Sequence, residues 1–183
     1  MERAFMPIAP MRDSLMPTFH RVDVASGNRE NLTPHQGQIL YVGSSLSADG
    51  RTLLVTSSEK AGFNSVAMLD VASKKLTGVT DTGWDASAGS FAPQGGKYTF
   101  IINEDGRTDT YLADLDGGQP EKISFPAGLT FFSGNPTPFS PSDDRLLVSH
   151  QSSQRPSDLW AYDLDPNPKV RSCLIQDSQS ILM

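Results

Sequence analysis

Histidine, cysteine, serine and paired acids carry most side-chain chemistry, and this sequence holds each of them in a pattern that argues against its use. Its three histidines, His20, His35 and His150, lie far apart and fall in different repeating units. A metal or catalytic role would need them to converge with carboxylates, and no short metal-ligand spacing is present. The single Cys173 excludes an internal disulfide, a two-thiol redox pair and a cysteine zinc cluster, and reads as a small half-buried side chain. Ser44, Ser45, Ser57 and Ser58 are strand and turn serines, since none sits on a nucleophile elbow. The acidic pairs Glu104-Asp105, Asp114 with Asp116, and Asp143-Asp144 lack the alternating oxygen ligands and closing bidentate acid of a calcium loop, so they read as solvated turns. The residues thus point to no catalytic, metal or cofactor site.

The charge balance narrows the partners. With 15 Lys and Arg against 21 Asp and Glu the net charge is -6 over 183 residues, and the basic residues are dispersed. No positive field exists to hold a phosphate backbone, which argues against nucleic acid. Residues 1–16 are broken by Glu2, Arg3, Pro7, Pro10, Arg12 and Asp13, leaving no apolar run for a signal peptide or a membrane span. The expectation is a soluble chain; its compartment stays open between cytoplasm and, for a longer parent, periplasm.

What organises these residues is an internal repeat. Leu46-Ser47-Ala48-Asp49-Gly50-Arg51-Thr52-Leu53-Leu54-Val55 aligns with the stretch from Phe91 to Phe100 and with that from Phe139 to Val148. Each reads as strand, tight polar turn, strand. A second unit ends in aspartate each time, at Asp23, Asp70, Asp114 and Asp163, with intervals of 47, 44 and 49 residues. Leu32-Thr33, Leu76-Thr77 and Ile123-Ser124 close the first three units. Four short strands in a period of roughly 40–50 residues mark a β-propeller blade. Helical repeats of similar length fail, because apolar residues alternate or cluster in short Val, Tyr, Phe, Thr and Leu runs broken by Gly, Pro, Asp and Asn.

One repeat shows the logic. Strand A, about Tyr41 to Ser47, is innermost; strand B, about Thr52 to Ser58, follows a turn whose Asp49 and Gly50 tolerate positive φ. Strand C runs from about Ser65 to Val71 and strand D from about Lys75 to Val79. A blade buries its faces only against its neighbours. Pro136 and Pro138 fall in strand A of the last blade, at a sheet edge where a missing N–H is tolerated. Asp-Gly-Arg-Thr occurs at both 49–52 and 105–108, but the first belongs to an A–B turn and the second to a B–C turn. The motif aspartates recur in every unit, so they read as blade-building hydrogen-bond acceptors.

Two tryptophans differ in meaning. Trp160 occupies a repeated strand-C position and should pack between blades. Trp84 stands before strand A without counterparts, which makes it the candidate for lining the channel mouth. Asn31-Leu32-Thr33 is a glycosylation sequon, read as silent.

These residues resemble the TolB-like, WD-related blades with an aromatic-Ser-Pro-Asp-Gly-Lys/Arg-x-Leu signature. Phe139-Ser140-Pro141 with Arg145-Leu146, and Phe91-Ala92-Pro93 with Lys97, carry the likeness. The stretch from Pro156 to Leu164 is similar to the propeller of prolyl oligopeptidase family serine peptidases, in particular the acylaminoacyl-peptidase-like branch. That resemblance implies a propeller that caps an α/β-hydrolase domain, screens peptide substrates by size, and sometimes holds the peptide N-terminus. It also implies that the Ser-Asp-His triad lies in the hydrolase domain, and no G-x-S-x-G elbow is present here.

The expected organisation is therefore all-β: an irregular segment 1–16, a partial blade 17–34, blades at 35–80, 81–126 and 127–175, and a tail 176–183. The ring is expected to be incomplete. A closed four-bladed ring would need the first blade's A and B strands from the C-terminal end, which offers no further aromatic-Ser-Pro turn. After Leu164 the repeat pattern fails, and the end reads as truncated or frame-altered, its last dozen residues partly foreign. Two functions compete: a non-catalytic gating propeller of a peptidase whose hydrolase domain is absent here, and a TolB-like scaffold binding a protein or peptide. Open terminal blades expose apolar faces and strand edges, so self-association is expected.

Overall fold

The computed structural model describes residues 18–60, 62–132 and 137–164, together with the backbone of 170–172. Its strands in chain order are β1 (His20–Val22), β2 (Arg29–Asn31), β3 (Tyr41–Leu46), β4 (Thr52–Ser57), β5 (Ser65–Asp70), β6 (Leu76–Gly78) and β7 (Asp85–Phe91). They continue with β8 (Lys97–Glu104), β9 (Arg107–Asp114), β10 (Glu121–Lys122), β11 (Leu129–Phe132), β12 (Arg145–Ser152), β13 (Arg155–Asp163) and β14 (Val170–Ser172). The described residues contain no helix. All pairings are antiparallel between sequence neighbours, giving one two-stranded hairpin, β1-β2, and three four-stranded sheets, β3 to β6, β7 to β10 and β11 to β14. The described residues form an all-β propeller segment of three blades preceded by half of one, and among them the sheets do not close into a ring. The chain end after Ser172, including Cys173 and the tail 176–183, lies outside the described residues, as does the segment 1–16.

The alternation within each second strand explains how blades stack. In β8 Tyr98, Phe100 and Ile102 point one way, and they form a core with Leu54 and Val66 of the blade before. Leu53, Val55, Ala67 and Leu69 turn the opposite face of that preceding blade onto Leu32 and Phe19 of the hairpin. Leu112 and Ile123 cover Leu146 and Tyr162 of the last blade. Each of the three cores lies between two blades and none inside one, as a repeat that buries itself only against its neighbours requires.

Side-chain hydrogen bonds between blades record the same period. Ser45 Oγ accepts from Phe91 N–H at 3.1 Å across 46 residues. Ser90 and Thr137 hydroxyls meet at 2.7 Å across 47. Asp143 Oδ2 accepts from Gln94 N–H at 2.9 Å across 49. Positions within one residue of equivalence in successive repeats are thus in direct contact, so the sequence period is the blade-to-blade step.

The innermost strands are bulged at one equivalent place. Register slips between Gly43 and Ser45 on β3, and between Ala88 and Phe91 on β7. In the last blade Phe132 pairs with Val148 while the next contact is the isolated bridge Phe139 to Leu146. Here the sequence-based placement of the prolines needs correcting. Pro138 is not inside β11 but in this interruption, and its carbonyl accepts from Leu147 N–H at 2.8 Å. A residue without an N–H fits where the ladder is broken and only its acceptor is used. Pro136 lies outside the described residues.

Candidate ligand cleft

The motif aspartates do hold the blades, in two ways. Asp23 Oδ1 accepts from Ser26 N–H at 2.8 Å and Oγ at 2.7 Å. Asp70 repeats this with Ser73, both at 2.6 Å, and these bonds hold its carboxyl below the usual range. In the last two blades the residue three further on is not serine, and the carboxylate turns to the cation opening the second strand. Asp114 takes Lys97 Nζ at 2.5 Å and Asp163 takes Arg145 Nε at 2.8 Å. The aspartate thus fixes the turn after the third strand in the first two units and joins the third strand to the second in the last two.

The other chemistry-bearing residues are spread out. His20 is in β1, His35 lies between the hairpin and β3, and His150 is in β12. Among the described residues no three His, Cys, Asp or Glu side chains gather closely enough to hold a metal ion. Serine hydroxyls are committed to the fold: Ser44 Oγ donates to Gly89 O, and Ser58 Oγ accepts from Leu40 N–H at 2.8 Å. Asn31 Oδ1 accepts from Thr33 N–H at 2.9 Å, and Thr33 Oγ1 accepts from Phe19 N–H at 2.9 Å. The sequon is folded into the core, with Leu32 and Thr33 buried.

His150 is buried, stacked on Phe125 with centroids 6.3 Å apart and set edge-on to Trp160 at 5.5 Å. Its Nδ1 has no partner among the described residues. Burial pushes the imidazole below its ordinary value, because a cation there would lose its hydration. Trp160 thus packs between blades, as its repeated position implies.

One blade breaks the symmetry. The second and third strands of the last two blades join through two residues, Asp105-Gly106 and Ser153-Gln154. Asp105 and Gly106 take φ of 50° and 77°, the left-handed pair of a tight hairpin. Between β4 and β5 the connection instead runs from Ser58 to Asn64. This longer loop brings Phe63 beside the link from β6 to β7, where Trp84 stands just before β7.

Together they line an open cleft of about 170 Å³ with Lys60, Asn64, Thr80, Asp81 and Thr82. Trp84 is 39% exposed and Phe63 46% exposed. Lys60 Nζ and Asp81 Oδ2 pair at 3.0 Å, and Asp85 Oδ1 accepts from Asn64 N–H at 2.8 Å, fixing the loop against β7. The sequence singled out Trp84; it missed Phe63, whose signal was the unequal length of this one connection.

A second apolar feature lies on the innermost strands. Val42, Ser87 and Phe131 occupy equivalent register positions of the three blades, opposite Thr56, Ile101 and Ser149. All three are exposed.

No protein-family model matches the sequence, and no curated protein matches it. Solved structures do resemble the fold. TolB from Acinetobacter baumannii is 20% identical, with a TM-score of 0.65 over 89% of this chain and 39% of its own. The β-propeller domain of the Trilobed protease from Pyrococcus furiosus, described as having an open velcro topology, is 15% identical with a TM-score of 0.60 over 90% of this chain and 47% of its own. Acylaminoacyl peptidase from Pyrococcus horikoshii is 16% identical with a TM-score of 0.61 over 98% of this chain and 27% of its own. The chain spans less than two thirds of each of these proteins. The fold is a β-propeller arrangement shared by TolB and by peptidase propellers.

Proposed function

We propose that this chain is a non-catalytic, peptide-gating propeller segment of a prolyl-oligopeptidase-like serine peptidase, with hydrolysis belonging to an α/β-hydrolase domain outside it. The observation that carries the reading is the single lengthened connection, which puts Phe63 and Trp84 in the lining of one open cleft. Two half-exposed aromatic rings lining one cleft are the kind of anchor that peptide sites commonly present. The likeness to peptidase propellers supports the same direction. Trp84 is the residue we place at the mouth through which a peptide would pass.

Incubating the chain with chromogenic peptide substrates tests the first half: binding seen by Trp84 fluorescence without release of chromophore supports gating, and turnover by the chain itself overturns it. The competing reading is a TolB-like scaffold that holds a protein or peptide partner across its blades, favoured by the likeness to TolB. Reading the gene beyond codon 183 separates the two. An in-frame hydrolase domain with a nucleophile elbow establishes the first; further blades and a stop codon establish the second.

Among the described residues, the face of the last blade that holds Phe131 leaves that ring 44% exposed. Leu147, Leu159 and Ala161 share that face by their registers. We expect it to drive self-association; sedimentation of a monomer at all concentrations would contradict this.

A further inference from the structure

We propose that the cleft between Phe63 and Trp84 receives a cationic side chain of a peptide, arginine above all, whose guanidinium lies on the indole while Asp81 answers its charge. This rests on the peptide-holding reading above and names what that site selects.

Three observations on the cleft agree. First, among the described residues neither Phe63 nor Trp84 stacks on another ring, so both rings are open to a ligand. An indole face is the strongest of the side-chain π surfaces for a cation, and a planar, weakly hydrated guanidinium stacks on it better than an ammonium does. Second, the local charge is unbalanced: Lys60 faces Asp81, while Asp85 adds a further carboxylate behind Asn64. With a net charge of -6 for the whole chain, an incoming cation meets an attractive field and an anion a repulsive one.

Third, the cleft already holds a cation of its own. Lys60 and Asp81 are 53% and 85% exposed at their side chains, and such a surface pair contributes little, so an arginine that also gains the ring can displace Lys60. A neutral apolar side chain would gain the rings too, but it would partly dehydrate an ion pair at the mouth without replacing either partner. The volume, about 170 Å³, is on the scale of one side chain and not of a folded element.

The test titrates blocked Gly-X-Gly peptides, with X arginine, citrulline, norleucine or glutamate, into the chain and follows Trp84 fluorescence. Trp84→Phe identifies the signal against buried Trp160. Arginine is expected to bind at least about tenfold more tightly than citrulline, which keeps the shape and loses the charge. Binding should weaken as salt rises. Lys60→Gln, which removes the resident competitor, should tighten arginine binding about two- to fivefold, the size of one exposed charge pair. Trp84→Ala, read by calorimetric titration because it removes the reporter, should abolish binding, and Asp81→Asn should weaken arginine binding about two- to fivefold, the size of one exposed charge pair, each variant keeping the parent's far-ultraviolet circular dichroism.

Equal affinity for norleucine and arginine overturns the inference. So does a blocked arginine without flanking residues binding as tightly as the tripeptide, because the cleft would then take a free cation and not a peptide. If arginine shows no preference while crosslinking places peptides elsewhere on the chain, this inference falls and the peptide-holding reading stands. If no peptide binds anywhere, that reading falls with it.

Discussion

Replacing Gly89 by alanine would put a methyl group where the inner wall has no space for one. Gly89 sits in the bulge of β7, and a Cβ built on it would meet Phe132 Cε2 at 2.5 Å and the Thr99 carbonyl oxygen at 2.6 Å, as well as Thr99 Oγ1. Phe132 belongs to the next blade and its ring can swing away. The Thr99 carbonyl belongs to the neighbouring strand of the same sheet, so it moves only if the sheet moves. Overpacking of this kind costs about 1–3 kcal/mol, and a backbone contact belongs at the upper end. The loss of chain freedom in the unfolded state returns about 0.5 kcal/mol. A net cost of about 2–2.5 kcal/mol lowers the melting temperature of a chain this size by about 4–10 °C.

The matched control is Gly78→Ala on β6, where a Cβ meets nothing within 4 Å; it should melt with the parent or slightly above it. Calorimetry of both variants decides the matter. Gly89→Ala melting within about 1 °C of the parent would refute the argument that the bulge brings two blades into contact at this glycine.

Two further outcomes follow from the cores. Phe100, buried between blades and stacked on Tyr111 at 5.1 Å, should cost about 3–5 kcal/mol when cut to alanine, measured by urea denaturation with an unchanged slope. His150 sets an acid dependence: its imidazole is held below the ordinary 6.5 by burial, so the unfolded chain takes up the proton first. There is no penalty above pH 6.5, and stability falls as the pH drops from there through the folded value. His150→Phe should flatten that limb in melts between pH 7 and 5. Asp49, Asp70 and Asp144, whose carboxyls are lowered from 3.8 chiefly by hydrogen bonds from Ser47, Ser73 and Ser140, act in a separate window, giving stability that is lost as the pH falls through 3.8 and below. That lower limb should survive the histidine change.

The architecture was legible because a propeller writes itself into sequence as a period. Asp23, Asp70, Asp114 and Asp163 recur since each performs the same local task, and Leu46, Phe91 and Phe139 recur since each pairs with the first core residue of the following strand, Leu53, Tyr98 and Leu146. The interruption at Pro138 was not legible. Both an edge strand and a break in the ladder tolerate proline, and only the register of Phe132 and Phe139 tells them apart. Phe63 was missed for a related reason: a site made by departure from a repeat is invisible to reasoning that seeks the repeat. The two forms of the motif aspartate became apparent only with the partners in place, because serine three residues on or a cation across the sheet satisfies the same carboxylate.

The most direct test of the account is a disulfide between two blades. Ser90→Cys with Thr137→Cys, in a Cys173→Ser background, places two thiols where hydroxyls now meet at 2.7 Å across 47 residues of sequence. Radially stacked blades predict near-complete oxidation in the folded protein under mild oxidant. Two free thiols persisting in the native protein, titratable before unfolding, would contradict it.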